Sequence, residues 1–221
     1  MPVKVIQGGK YVARYLRMLD EDTLEKLNRY TIERIDPQPW DQMLNISNYD
    51  GSLTALLAPR VKRITAVEAS VPAIRRARLC IRRLGYSNVS FQVASSFDFD
   101  SRPESVSKVV VRDAMHPLSD VQRRSAIERI YRSLAPSGVA VLQDIAFPFL
   151  PLAAPDALLD TLKSTAVELG EDVAAEIGRM IRYCRPMCVD DISTLLTAAG
   201  FEVTSSDLKF GLYATFRCVK Q

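Results

Sequence analysis

The chain has 221 residues, of which 48% are hydrophobic and 25% are charged, and its formal net charge is +3. Such a length and composition predict one globular domain with a full core and exclude a disordered or fibrous protein. No apolar run approaches the ~18 residues of a membrane-spanning helix, and the N-terminus lacks the apolar stretch of a signal peptide. We therefore expect a cytoplasmic protein that makes no membrane contact.

The chain begins with a predicted helical segment, residues 10–35, in which apolar residues recur at helical spacing and which Pro37 and Pro39 close. From residue 42 onward, short apolar runs alternate with helical stretches, one of which Ser70 can cap. Five of these runs are predicted strands: 43–46, 64–67, 89–93, 106–111 and 139–142. Strands separated by helices predict right-handed β-α-β crossovers and therefore a doubly wound α/β sheet.

The C-terminal part adds a helical stretch and then a predicted strand over 201–204. Apolar residues alternate strictly from Leu208 to Cys218, which predicts an antiparallel hairpin at the sheet edge. The predicted organisation is an N-terminal helical cap (1–39) and an α/β domain (40–221) with a helical insertion (about 151–183).

Cysteine and histidine are sparse in this sequence. The chain has four scattered cysteines, Cys80, Cys184, Cys188 and Cys218, and one histidine, His116. A chain of this size does not depend on disulfides, and one histidine falls short of the usual nitrogen ligands of a metal site. We expect reduced thiols and no metal.

Ligands of open α/β sheets bind at the carboxyl ends of the strands, where the strand order reverses. Three predicted loops lie at that edge: 47–52, 68–70 and 95–98. Glu68 ends the second strand, where a carboxylate can accept hydrogen bonds from a ribose diol. Taken alone, Glu68 is equally typical of a solvated acid that caps a helix. Its place in a β-α-β unit favours the ribose interpretation.

Four segments carry motifs in a recognisable order: Ile64–Ser70, Val106–Asp120, Arg132–Asp144 and Ala198–Val203. They resemble the second strand with its ribose-binding acid, the fourth strand, the turn into the fifth strand and the sixth strand of class I S-adenosylmethionine-dependent methyltransferases. The resemblance runs from about residue 40 to the end of the chain. It implies a Rossmann-like sheet of seven strands, mostly parallel, whose last strand is antiparallel to the rest.

The resemblance also implies S-adenosylmethionine as the cofactor and a set of residues that bind it: Asn45, Ser47, Gly51, Glu68, Ala69, Ser95, Ser96 and Arg112. The chain departs from the family where an acid and a glycine-rich loop are usual. Asn45 stands in place of the acid, Ser47 and Tyr49 stand in place of glycines, and only Gly51 remains. Glycine permits backbone torsions that other residues resist, and Tyr49 puts a ring where the family needs space.

Two interpretations stay open. In the first, the protein is a methyltransferase for an unidentified acceptor and binds S-adenosylmethionine through Gly51, Glu68 and main-chain amides. In the second, it has lost the cofactor and acts as a binding or regulatory subunit. We favour the first because Glu68 and Gly51 stand in the expected places. A nicotinamide-dependent oxidoreductase is disfavoured, since the pattern of three glycines after the first strand is missing.

Methyl transfer needs a general base only where the acceptor must lose a proton. His116, just after the fourth strand, is the candidate catalytic base, and simple packing or helix capping is the alternative. Asp113 and Asp144 end the fourth and fifth strands, where they either face an acceptor or accept hydrogen bonds from nearby amides.

Basic side chains concentrate around the second strand and the helix after it: Arg60, Lys62, Arg63, Arg75, Arg76, Arg78, Arg82 and Arg83. They suit the phosphate contacts of an RNA-modifying enzyme, and they equally suit the solvated face of an amphipathic helix. Because the net charge is only +3, we favour the solvated face, and with it a small-molecule acceptor over RNA. The apolar residues of the insertion also fit a homodimer or a protein partner.

Overall fold

The structure is a computed structural model that describes residues 18–47, 51–184 and 187–221. The strands are β1 (Gln42–Ile46), β2 (Arg63–Glu68), β3 (Val89–Val93), β4 (Val106–Arg112), β5 (Leu134–Phe147), β6 (Met187–Cys188), β7 (Phe201–Lys209) and β8 (Tyr213–Lys220). The helices are α1 (Glu21–Ile35), α2 (Ser52–Leu57), α3 (Val71–Arg83), α4 (Asp120–Ser133), α5 (Pro155–Leu169), α6 (Glu171–Tyr183) and α7 (Val189–Ala198).

The strands form one mixed sheet in the order β3-β2-β1-β4-β5-β8-β7, and the short β6 pairs with β5 outside this path. Strands β1 to β5 are parallel to one another, whereas β8 is antiparallel to both β5 and β7. The predicted fold class is therefore confirmed: a mostly parallel, doubly wound sheet whose last strand runs against the others.

The central strands are buried on both faces, as their continuous apolar runs predict. Val109, Val110 and Val111 of β4 are all fully buried. Val109 and Val111 pack into a cluster that also holds α4 and α7, and Val110 packs on the other face with residues of α1 and α2. Helices thus cover both faces, and the crossovers place every β-to-α loop of the parallel strands at one edge of the sheet.

Side chains cap the starts of α3 and α4, and the cap at Ser70 is the one that the sequence predicts. Ser70 accepts the N–H of Ala73 at the start of α3. At the start of α4, Ser119 and Gln122 form a capping box, in which each side chain accepts a main-chain N–H of the other residue. These caps fix the direction in which each helix leaves the ligand edge.

Strand β5 is longer than predicted, because it covers Leu134–Phe147 rather than 139–142. It pairs with β4 on one side and with β8 on the other, so hydrogen bonding extends the strand beyond its apolar run. The turn into the fifth strand, which the segment Arg132–Asp144 resembles, lies inside β5 as an irregularity: the register with β4 shifts after Val106, and Ser137 has a φ of 59°.

The predicted alternating strand from Leu208 to Cys218 is in fact two strands. β7 continues to Lys209 and β8 begins at Tyr213, and Phe210 and Gly211 between them both have positive φ. The hairpin at the sheet edge is confirmed, with β7 as the outermost strand.

The helical insertion consists of two helices, because Gly170, with a φ of 98°, separates α5 from α6. At the other end of the chain, α1 begins at Glu21 because Asp20 accepts the N–H of Thr23 over 2.8 Å and caps it. Residues 10–17 of the predicted N-terminal helix lie outside the described residues, and the division into cap and domain stays a prediction. Within the described ranges, no helix has both the length and the apolar character needed to cross a membrane.

Candidate functional site

The site predicted from the sequence lies at the carboxyl edge of the sheet, where the strand order reverses between β1 and β4. The two strands leave the sheet as direct neighbours, since Ile46 pairs with Val111. The end of β2 is adjacent, because Ser47 donates its N–H to the carbonyl of Val67 over 2.9 Å. The loops after β1, β2 and β4 therefore border the crevice expected for a ligand.

The loop after β1 is held by two of the predicted residues. Asn45 is buried, and its Nδ2 donates to Oγ1 of Thr54 on α2 over 2.8 Å. Gly51, the N-cap of α2, has a φ of 88°, and a Cβ at this position would lie 2.8 Å from Cβ of Ala77 on α3. Asn45 thus orients α2, and Gly51 allows α3 to approach the loop closely.

Ser47 has a φ of 63°, a left-handed conformation that favours glycine. The serine that replaces a glycine of the resembled motif is therefore held in a strained conformation. Residues 48–50 lie outside the described part of the chain, so the effect of the Tyr49 ring stays a prediction.

Glu68, the last residue of β2, is 7% exposed, and its Oε1 accepts the N–H of Ser70 over 2.8 Å. Burial raises the pKa of the Glu68 carboxyl, while the N–H groups of Ser70 and Ala69 and the guanidinium of Arg76 act in the opposite direction. Ala69 itself is exposed at the edge. The result is an acceptor that main-chain groups hold at the end of β2, as a ribose diol requires.

The two serines after β3 donate their hydroxyls within the protein. Ser95 bonds Oδ1 of Asp98 through its N–H over 2.6 Å and through its hydroxyl over 2.7 Å. Buried Ser96 donates to the carbonyl of Ala114 over 3.3 Å and so ties this loop to the one after β4. A hydrogen bond from either hydroxyl to an adenine nitrogen, as the sequence suggests, requires that hydroxyl to change partner.

The side chain of Arg112 points towards α1 and β5. Its buried guanidinium donates to Oδ1 of Asn28 over 2.7 Å, to Oγ1 of Thr31, and to Oε1 of Gln143 over 3.3 Å. Asn28 and Thr31 belong to α1 and Gln143 to β5. The side chain of Arg112 fastens α1 to the sheet, and only its main chain stands at the ligand edge, so its contact with the cofactor stays a prediction.

His116 and Asp144 form a buried pair, in which Nδ1 of His116 lies 2.6 Å from Oδ1 of Asp144. Oδ2 of Asp144 also accepts the N–H of Met115 over 2.6 Å and that of His116 over 3.2 Å, and Oδ1 accepts the N–H of Ile145 over 2.8 Å. The carboxylate therefore fixes the imidazole ring. Among the described residues, the buried Nε2 of His116 has no hydrogen-bond partner.

The carboxylates of Asp144 and Asp113 favour the protonated form of His116. Burial acts to lower the pKa of His116, but Asp144, and more weakly Asp113, outweigh that effect, so the pKa lies above the ordinary 6.5. Tyr213 donates its hydroxyl to Oδ2 of Asp113 over 3.4 Å, and burial raises the pKa of that phenol well above its ordinary value. The group is thus a buried acid–base cluster at the ends of β4 and β5.

The side chains of this cluster are of the types that can bind a cation. Ligand atoms of Asp113, His116 and Asp144 all lie within 4.8 Å of one another. The oxygens of Asp144, however, are engaged by three N–H groups and the imidazole. This arrangement orients a histidine and offers a cation little access to the carboxylate, so the absence of a metal stays our expectation.

Sequence reasoning missed the pairing of His116 with Asp144 and the contact of Tyr213 with Asp113. These partners are 28 and 100 positions apart along the chain. The available signal was topological: the fourth and fifth strands of such a sheet end side by side.

Comparisons with known proteins agree with this geometry. A family model described as a methyltransferase domain matches residues 44–138. The chain is 33% identical over 106 residues to the 23S rRNA (uracil(1939)-C(5))-methyltransferase RlmD of Methylococcus capsulatus. That match covers 46% of this chain and 23% of RlmD, so the chain spans about a quarter of that relative.

Many solved structures share the fold, and two of them serve as examples. The [4+2]-cyclase SpnF is 15% identical, with a TM-score of 0.71 over 90% of this chain and 82% of SpnF. The N-methyltransferase NodS from Bradyrhizobium japonicum WM9, in complex with S-adenosyl-L-homocysteine, is 18% identical, with a TM-score of 0.66 over 98% of this chain and 94% of NodS.

Proposed function

We propose that this chain is a class I S-adenosylmethionine-dependent methyltransferase, which transfers the methyl group of S-adenosylmethionine to an acceptor. The match of residues 44–138 to a methyltransferase-domain model and the fold shared with an N-methyltransferase support the proposal. The observation that carries the proposal is the placement of Glu68. Its carboxylate is buried and held by main-chain N–H groups at the end of β2, beside the reversal of strand order. The ribose diol of a nucleoside cofactor is the ligand that such a carboxylate accepts.

The cofactor supplies an electrophilic methyl group on a sulfonium, and the chain's own residues supply position. Glu68 accepts the ribose hydroxyls. The turn at Gly51, which closely approaches α3, brings the N-terminus of α2 to the same edge. Holding the reactants in line can provide much of the acceleration of such a displacement, so the site needs few reactive side chains.

His116 is the residue we assign as general base for acceptors that must lose a proton. When Nδ1 donates to Asp144, Nε2 carries the lone pair that takes the proton, and Asp144 stabilises the imidazolium that forms. The raised pKa of His116 means that the neutral, basic form is depleted at low pH. Turnover should therefore rise with pH through that raised pKa, and in His116→Gln this rise should disappear.

Calorimetric titration with S-adenosylmethionine and S-adenosylhomocysteine tests the proposal without a known acceptor. We expect binding by the wild type and a loss of about 10- to 100-fold in affinity in Glu68→Gln, since a hydrogen bond to a charged group contributes roughly 1.5–3 kcal/mol. Glu128→Gln, at an exposed position on α4, is the matched control and should bind as the wild type does. A folded protein that gives neither heat nor a thermal shift at millimolar ligand overturns the proposal.

One observation favours the second candidate, a binding or regulatory subunit that has lost the cofactor. Ser47 occupies a left-handed conformation at a position where the resembled motif has glycine. Ser47→Gly discriminates between the two. If the variant binds S-adenosylmethionine where the wild type does not, the loop has lost its cofactor by substitution, and the non-catalytic function is supported.

A further inference from the structure

The charge of the molecule is most uneven at α3 and the strands beside it. Between Asp50 and Asp98 the chain carries eight Lys and Arg residues and a single acid, Glu68. This stretch is therefore +7, while the chain as a whole is +3, so the remaining residues sum to −4. We call the following eight residues the basic surface: Arg60, Lys62, Arg63, Arg75, Arg76, Arg78, Arg82 and Arg83.

An ordinary solvated helix mixes its charges, and α1 of this protein does so. Lys26 pairs with Asp22, and Arg29 pairs with Glu25. Helix α3, in contrast, has five arginines and no acid. All eight side chains of the basic surface are exposed, and none forms an ion pair with any residue that the structure describes. Like charges three and four residues apart on a helix repel one another, and a bound polyanion removes that repulsion.

The basic surface extends along the height of the sheet. Helix α3 starts beside Glu68, where Ser70 caps it, and its 13 residues span about 20 Å. At the far end, Nδ2 of Asn88 donates to the carbonyls of Ala58 and Val61 over 2.8 and 2.9 Å. This contact holds the end of α3 next to the basic residues at the start of β2. The arginines thus form one stripe, long enough to meet several consecutive phosphates.

An exposed indole lies at the lower end of this stripe. Trp40, the one tryptophan in the sequence, is 71% exposed. It precedes Asp41, whose carbonyl accepts the N–H groups of Lys62 and Arg63 over 3.0 and 3.2 Å. Proteins that bind single strands combine basic grooves for the phosphates with aromatic faces on which bases stack. We propose that the basic surface, together with Trp40, binds a single-stranded nucleic acid.

A membrane surface fits these observations less well. The apolar face of α3, formed by Ala73, Ile74, Ala77 and Ile81, is buried against the sheet, so the helix cannot insert as interfacial amphipathic helices do. Every basic residue of α3 is arginine, whose planar guanidinium suits bidentate contacts with phosphate. The proposal does not rest on methyl transfer, and it replaces the solvated-face interpretation of these basic residues that the sequence alone favoured.

Fluorescence anisotropy with fluorescein-labelled 20-nucleotide oligouridylate and oligodeoxythymidylate tests the proposal in the absence of cofactor. If about five phosphates are neutralised, log affinity should fall with log salt with a slope of about −3.5 for a single strand. Removing three of the arginines should reduce that slope to about −1.4. Because Gln keeps helix propensity, the test variant is Arg75→Gln/Arg76→Gln/Arg82→Gln, and its control at exposed sites elsewhere is Arg102→Gln/Arg124→Gln/Arg132→Gln.

Trp40 provides a second readout at a known position, because unlabelled oligonucleotide that stacks on the indole should quench its fluorescence. Binding of oligouridylate alone identifies RNA as the source of the strand, and equal binding of both oligonucleotides identifies single strands in general. Absence of binding at about 50 mM salt, or an equal loss in the test and control variants, overturns the proposal. Binding to vesicles of anionic phospholipid without binding to either oligonucleotide also overturns it, in favour of a membrane surface.

Discussion

The substitution Gly51→Ala tests whether the close approach of α3 is what requires glycine in the loop after β1. Gly51 has a φ of 88°, and an added Cβ would lie 2.8 Å from Cβ and 3.0 Å from Cα of Ala77. The left-handed backbone costs a non-glycine residue about 1–2 kcal/mol, and overpacking against a neighbouring helix costs about 1–3 kcal/mol more. We therefore expect Gly51→Ala to lower the free energy of unfolding by about 2–5 kcal/mol.

Gly85→Ala is the matched control for this prediction. Gly85 also has a positive φ, of 76°, but an added Cβ there would meet nothing within 4 Å. Only the conformational cost of about 1–2 kcal/mol applies, so the difference between the two variants in urea denaturation measures the contact with α3. Ala77→Gly removes the side chain that the new Cβ would meet, but glycine in a helix itself costs ~1 kcal/mol. After allowance for that cost, the double variant Gly51→Ala/Ala77→Gly should recover part of the stability that Gly51→Ala loses. Equal losses in the two single variants, or no recovery in the double variant, would refute this reasoning.

Two further measurements probe buried groups. The pKa of His116 is raised in the folded protein, so the stabilisation by its pair with Asp144 is full below the ordinary value of 6.5 and is lost as the pH rises through the raised pKa. Urea midpoints measured across this pH range should show the loss. A pH profile that Asp144→Asn leaves unchanged would contradict the pairing. Burial raises the pKa of Cys184 to about 11 and that of Cys218 to about 12, so mass-spectrometric thiol labelling near neutral pH should modify half-buried Cys80 first, and earlier labelling of Cys218 would count against the buried arrangement.

The parallel strands could be predicted because their signal is local. β3 occupies residues 89–93 as predicted, and β4 extends the predicted run by Arg112 alone. The C-terminal hairpin could not be located in the same way. Three residues, Phe210, Gly211 and Leu212, separate the paired Lys209 and Tyr213, and the first two have φ values of 53° and 68°. Because successive side chains of a strand point to opposite faces, an odd number of connecting residues leaves the alternation of apolar residues unbroken. The sequence also lacks the usual Asn-Gly signal there, since Phe takes the first position of the turn.

The same distinction between local and distant signals decides which site residues could be predicted. Glu68 could be predicted because a carboxylate at the end of a parallel strand must stand at the ligand edge. The role of Arg112 could not, although it also ends a strand, because the acceptors Asn28 and Thr31 lie 84 and 81 positions away on α1. A strand's end fixes where a main chain stands, whereas the direction of a long side chain depends on which distant helix offers it hydrogen-bond partners.

The ligand edge and the basic surface meet at the start of α3. Ser70 both caps α3 and donates its N–H to Glu68, and Arg76, nearly two turns further along, acts to lower the pKa of that carboxyl. A single-stranded nucleic acid bound along α3 would therefore have one end beside the carboxylate proposed to hold the cofactor. If a bound polyanion neutralises Arg76, we expect cofactor affinity to change, and by linkage the cofactor then changes polyanion affinity by the same factor. Coupling between the two ligands is therefore expected where the nucleic acid lies beside Glu68, and independent binding of the two would place it away from the ligand edge.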